Sequence, residues 1–104
     1  MAQFDVFENP NKETNQVIPY LLDVQADLLD ALATRVVVPL VAASAMDKAI
    51  KHLNPELTIR SDTVFMSTSE LAGVAGRSLG EKVTSLQDRR DEISAALDFL
   101  FTGF

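Results

Sequence analysis

A chain of 104 residues holds one core at most, because domains usually run to about 100–200 residues. Its 47% hydrophobic and 23% charged content is that of a folded chain, and the lack of cysteine excludes disulfides, thiolate nucleophiles and cysteine-bound zinc. Nine Lys and Arg against fifteen Asp and Glu give a net charge of −6, which argues against direct binding to nucleic acid or to an anionic membrane.

Taken in chain order, Phe4-Asp5-Val6-Phe7-Glu8 alternates and reads as a first strand. The polar stretch Asn9 to Gln16 is a loop rich in turn formers, and a second strand is expected from Ile18 to Val24. From Val24 to Leu32 two readings stay open. Val24, Leu28, Leu29 and Leu32 have helical spacing behind a capping Asp23, whereas a strand end followed by an irregular turn fits equally well. Arg35 to Val41 is the clearest strand, with three consecutive β-branched valines and apolar residues on both faces. Pro39 cannot donate to a ladder, which places this strand at an edge or puts a bulge there.

The Ala-rich segment Ser44 to His52 predicts a short helix stopped before Pro55. Leu57 to Arg60 and Thr63 to Ser67 read as a hairpin around Ser61-Asp62. Gly73 to Gly80 holds three of the four glycines and is expected to be a looped connection. In the last segment Val83, Leu86, Arg90, Ile93, Leu97, Leu100 and Phe104 recur at alternating spacings of three and four, one face of a helix. Ser85 would cap it and Gly103 would end it.

Catalytic chemistry finds little footing. His52 is the one histidine, and an ordinary surface role outweighs a metal role. Asp23, Asp27 and Asp30 lack the alternate spacing of a calcium loop and read as a solvated helix face. The glycine segment has neither a phosphate-loop Lys-Ser/Thr pair nor a dinucleotide turn, and no nucleophile elbow occurs. No metal or cofactor is expected. The longest apolar run, Val36 to Ala43, is far short of the roughly 20 residues that span a bilayer. No charged-then-apolar leader opens the sequence, so a cytoplasmic protein without membrane contact is expected. Phe99, Leu100, Phe101 and Phe104 crowd the end of the chain, where residues usually fray; core docking and partner binding are evenly matched there.

Several segments together resemble the CcdB family of gyrase-poisoning toxins. Gln3-Phe4-Asp5-Val6-Phe7 and Tyr20-Leu21-Leu22-Asp23-Val24-Gln25-Ala26-Asp27-Leu28-Leu29-Asp30 look like the family's opening and its D-V-Q-S-D signature. Thr34 to Leu40 resembles its R-x-V-I-P-L strand, Phe65-Met66-Ser67-Thr68 its methionine-threonine strand end, and Ala95 to Phe104 its terminal helix. The likeness keeps order and spacing over nearly the whole chain, 1–104, as one toxin domain.

The resemblance implies an α+β fold, an SH3-like barrel of mainly antiparallel strands with a C-terminal α-helix, and it favours the strand-end-and-turn reading of Val24 to Leu32. It implies a homodimer that is no enzyme. The dimer would bind the DNA gyrase A subunit, trap the cleaved-DNA complex, and be neutralised by a CcdA-like antitoxin. Operator DNA would be reached only through that antitoxin, with the toxin as co-repressor. The gyrase-facing residues implied are Leu28, Leu29, Asp98, Phe101, Thr102, Gly103 and Phe104. Two departures stand out: Thr102 and Phe104 replace the aromatic and aliphatic residues of the family's Trp-Gly-Ile ending, and Val74-Ala75-Gly76 stands where V-P-V is common. Because fold alone does not fix function, two alternatives remain: an RNA-cutting toxin of the MazF/Kid kind, for which Arg35, Arg60 and His52 are the candidate groups, and a CcdB-like protein that no longer poisons.

Overall fold

The computed structural model describes residues 1–103. Seven strands, β1 (Asp5–Glu8), β2 (Tyr20–Asp23), β3 (Thr34–Ala42), β4 (Glu56–Ile59), β5 (Asp62–Met66), β6 (Ala72–Ala75) and β7 (Lys82–Ser85), precede one helix, α1 (Arg90–Thr102). All strand pairs are antiparallel, in the order β4-β5-β3-β2-β1-β7 with β6 paired to β3. The sheet curls into a half-barrel closed over by α1, an α+β fold of the SH3-like barrel type.

The period of two decides which side chains meet inside. Val6, Leu22 and Val38 sit opposite one another across β1, β2 and β3, and all three are buried. Tyr20, Leu40 and Met66 form the next row. Helix α1 closes this core with Ile93 and Ala96, both fully buried. Burying a side chain such as Ile93 is worth about 1.5–3 kcal/mol, so these two positions dock the helix.

Strand β3 is central, not an edge. It pairs with β2 on one side and with β5 and then β6 on the other. Pro39 is tolerated because its second partner breaks there. The Pro39 carbonyl accepts from the Ser67 N–H at 2.9 Å, and the chain then makes a short 3-10 turn at Thr68–Glu70 before resuming as β6. The missing proline N–H therefore falls opposite a gap in the ladder. Both faces of β3 are covered within one chain: Val38 and Leu40 lie in the core, while Val37 and Val41 are buried on the reverse face.

Four sequence expectations are corrected. Helix α1 starts at Arg90, not near Val83, because Lys82–Ser85 is recruited as a strand against β1. Tertiary pairing overrides the helical spacing of Val83 and Leu86. Ser85 accordingly caps nothing in α1; its Oγ accepts from the Gln87 N–H in a tight turn at 3.3 Å. Ser44 to His52 forms only a 3-10 turn at Ala43–Ala45, since this exposed stretch has no apolar face to dock and a helix that short is marginal alone. The glycine segment is not a plain loop: Ala72–Ala75 is strand β6 and Gly76–Ser78 a 3-10 turn. Gly80 has a steric reason to be glycine, because a Cβ there would lie 2.6 Å from the Glu8 carbonyl oxygen.

The hairpin forms as expected, but its two-residue loop is Arg60-Ser61, with Arg60 at φ 58°. Val24 to Leu32 is not a helix: β2 ends at Asp23 and a single 3-10 turn covers Asp27–Leu29. At the ends of the strand path, β4 and β7 are not paired to each other among the described residues. A seam of about 450 Å³ lies between them, lined by Thr58, Arg60, Val83 and Leu86. Arg89 Nη2 reaches across it to donate to the Glu56 carbonyl at 3.2 Å.

Candidate functional site

The turn after β2 carries leucines that the core does not take. The Leu29 N–H donates to the Ala26 carbonyl at 2.9 Å and the Asp30 N–H to that of Asp27 at 3.0 Å, closing a tight 3-10 turn. This geometry turns Leu28 outward, 94% exposed, and leaves Leu29 and Leu32 half exposed. Polar side chains, Gln25 and Arg35 buried among them, hold this short turn. Gln25, itself buried, accepts from the Val36 N–H through Oε1 at 3.0 Å and donates through Nε2 to the Leu29 carbonyl at 3.0 Å. Arg35 donates through Nε to Asp23 and through Nη1 to Asp30, both at 2.8 Å. Asp27 accepts from the Gln3 N–H at 2.7 Å.

Asp23 and Arg35 are both buried, and Arg35 Nη2 lies 2.7 Å from Asp23 Oδ2. Burial raises the Asp23 carboxyl above the usual carboxylate range, while the Gln25 N–H and the Arg35 guanidinium pull against that rise. An ion pair removed from water contributes little net stability when intact, but losing one partner strands a charge. The pair therefore acts as a clamp: it ties the end of β2 and, through Asp30, the far side of the turn to β3.

Facing this turn is the last stretch of α1. Leu97 is partly buried, and Phe101 is 71% exposed. Between turn and helix runs an apolar groove of about 390 Å³, walled by Val24, Leu29, Val36, Leu71, Leu97 and Phe101. The helix ends as the sequence predicts. Gly103 adopts the left-handed conformation at φ 77° and donates its N–H to the Phe99 carbonyl at 2.9 Å. Among the described residues, chain neighbours aside, nothing lies within 4 Å of a Cβ placed on Gly103, so its positive φ and not crowding favours glycine there. The Thr102 hydroxyl donates to the Asp98 carbonyl at 2.7 Å, which keeps that side chain against its own helix.

Of the residues implied by resemblance, Leu29 and Phe101 line one groove and Leu28 stands on the same turn. Asp98, Thr102 and Gly103 are exposed on the final turn and end of α1. Phe104 lies outside the described residues. The three groups considered for RNA cleavage are not assembled. Arg35 is buried in its ion pairs, Arg60 pairs with Glu8 beside Tyr20, and His52 packs against Phe99 with ring centroids 6.2 Å apart. The three aspartates expected on one solvated helix face do not share one: Asp23 is fully buried, Asp30 meets it only through Arg35, and Asp27 accepts from the Gln3 N–H. Among the described residues no group of three metal-ligating side chains occurs, and no helix is long and apolar enough to cross a membrane.

Sequence reasoning missed the groove walls Val36, Leu71 and Leu97, and it missed Gln25. Leu71 could not be found by local pattern, since it reaches the groove only through the pairing of β6 with β3. Gln25 had a detectable signal: a long amide midway between the pairs Leu21-Leu22 and Leu28-Leu29, in a stretch whose period is ambiguous.

A family model described as CcdB protein matches residues 3–103. Among solved structures, the chain is similar to an endoribonuclease in complex with its cognate antitoxin from a mycobacterial species. That likeness has a TM-score of 0.74 at 13% sequence identity, over 97% of this chain and 94% of the other. At this identity it is a likeness of fold.

Proposed function

The chain belongs to the CcdB protein family, and from that premise we propose that it is the toxin of a type II toxin–antitoxin pair that poisons DNA gyrase. The observation that carries the reading is the grouping of Leu28, Leu29 and Phe101, exposed apolar side chains on a clamped turn and on the end of the facing helix. Apolar side chains presented on supported backbone suit a protein partner better than a substrate. In this reading the chain acts by binding, without a cofactor and in the cytoplasm. A homodimer engages the gyrase A subunit through Leu28, Leu29, Asp98, Phe101, Thr102, Gly103 and Phe104 and holds the enzyme on cleaved DNA. A CcdA-like antitoxin neutralises it and supplies operator binding, which the net charge of −6 denies to the toxin alone.

The dimer rests on the family. The two-faced β3 strand gives it no support, since one chain covers both faces. The deciding experiment mixes the purified protein with gyrase and plasmid: accumulation of cleaved complexes supports the reading. RNA degradation without any effect on gyrase would replace it with the ribonuclease alternative. Antitoxin binding with neither activity would leave a toxin-like protein that does not poison.

A further inference from the structure

The geometry assigns Gln25 as the positioning residue of the docking turn, the side chain that holds Leu28 and Leu29 in the orientation a partner meets. The inference rests on the reading of this turn as the gyrase-facing surface. A buried amide has a donor end and an acceptor end, and here each meets one backbone group of a different element. Its Oε1 accepts from the N–H of Val36 on β3, and its Nε2 donates to the carbonyl of Leu29 at the end of the turn. Val36 lies beyond the last β2–β3 pair, at Asp23 and Val37, so its N–H would otherwise lose its ladder partner. Gln25 replaces that partner and passes the connection on to the turn. Its own N–H is fixed by Asp23 Oδ1 at 2.9 Å, which sets where the amide reaches from.

The Arg35–Asp30 contact grips the turn only through an exposed aspartate. Gln25 instead grips the backbone at Leu29 itself. Leu28 has almost no packing, so its direction is set by the backbone on either side of it. A docking residue held in place before encounter loses less freedom on binding than one that must be ordered.

Gln25→Glu tests this, because the variant keeps the acceptor for Val36 and loses the donor to Leu29 at neutral pH. Three measurements are made on the full-length protein: amide hydrogen exchange of Leu29 and Asp30, urea stability, and association with the gyrase A subunit. The expected result at neutral pH is exchange about five- to tenfold faster at those two amides, with association slowed by a similar factor. Amides of β3 and α1 should be unchanged. Because Asp23, which fixes the N–H of residue 25, also takes up its proton in acid, each variant is compared with wild type at the same pH. Protonation of the introduced carboxylate restores a donor and should close the gap in exchange at the two amides. Gln25→Met, which lacks both ends of the amide, should not recover with pH.

Unchanged exchange at Leu29 and Asp30 in Gln25→Glu would overturn the assignment, and so would a uniform rise across β3 and α1 that tracks a loss of global stability. Wild-type protein that does not bind gyrase would overturn the functional reading alone, since the exchange measurement still decides whether Gln25 fixes the turn.

Discussion

Two irregular segments of this molecule invite comparison: the turn from Val24 to Ala33 and the excursion from Ala43 to Pro55. Each links two strands, each includes a 3-10 turn, and each exposes aliphatic side chains. Each is also held by one amide that accepts from a backbone N–H and donates to a backbone carbonyl. In the second segment that amide is Asn54, which accepts from Ile50 and donates to Met66, both at 2.9 Å. The difference lies beneath the amides. Under the first turn sit the buried Asp23–Arg35 pair, its link to Asp30, and the contact of Gln3 with Asp27. The second has a hydrogen bond from Thr68 to the Leu53 carbonyl and a tilted contact of His52 on Phe99. Both backbones are therefore held, the Ile50 carbonyl by the N–H groups of Leu53 and Asn54, but only the first turn is anchored to the barrel by a buried ion pair and faces an apolar groove.

The comparison breaks hardest at the clamp. Arg35→Met should cost about 3–5 kcal/mol of stability at neutral pH, because it leaves Asp23 buried and unpaired. Asp23 already titrates above its unfolded value, so its ionised form opposes folding, and stability falls as pH rises through the folded value. Without Arg35 that opposition grows. The cost of the variant should therefore shrink as urea melts are moved to more acidic pH. A cost that is the same at all pH values would mean that Asp23 is not the group left stranded.

Next in size is the surface itself. Phe101→Ala and Leu28→Ala should each weaken binding to the gyrase A subunit by about 1–2 kcal/mol, or 5- to 30-fold, with little change in melting temperature. Ile50→Ala, equally apolar and about as exposed as Leu29, should change neither quantity by more than about 0.5 kcal/mol. Equal losses at Ile50 and Phe101 would erase the distinction between the two segments. Smaller again, Asn54→Ala should cost about 1 kcal/mol in denaturant unfolding. It should also speed amide exchange at Ile50, with binding unaffected.

The smallest effect is alkaline. Burial, and then the hydrogen bond to Asp62 at 2.7 Å, raise the Tyr20 phenol above its ordinary value. A group raised by folding contributes stability below its unfolded pKa, about 10 for tyrosine, and that contribution is lost as pH rises through the folded value. Wild-type protein should therefore lose stability above about pH 10 more steeply than Tyr20→Phe. Parallel curves would show that the phenol gains nothing from its surroundings.

What could be read in the sequence follows from how far each signal reaches. Strand β3 and the hairpin were legible because β-branched runs and short turns are local. The end of α1 was legible because Gly103 is a local stop. The start of α1 was not, since only the distant β1 turns Lys82–Ser85 into a strand. Leu28, Leu29 and Phe101 came from family likeness, and no local pattern joins residues so far apart. Asp23 read as a surface acid because its partner Arg35 lies on the next strand, and a charge pattern along one segment cannot reveal a pair across two.

The unpaired seam between β4 and β7 bears on how this protein behaves when crowded. Two strand edges facing a gap are templates on which another copy could add a strand, and such pairing propagates into aggregates. Both strands are only four residues long. Arg89 occupies the Glu56 carbonyl on the β4 side, and on β7 Lys82 places a cation that also reaches Asp5 at 3.3 Å. Arg89, the residue just before α1, thus occupies an acceptor that an added strand would need. An open barrel whose edge strands are this short, and whose edge acceptor is already taken, offers an added strand little to pair with.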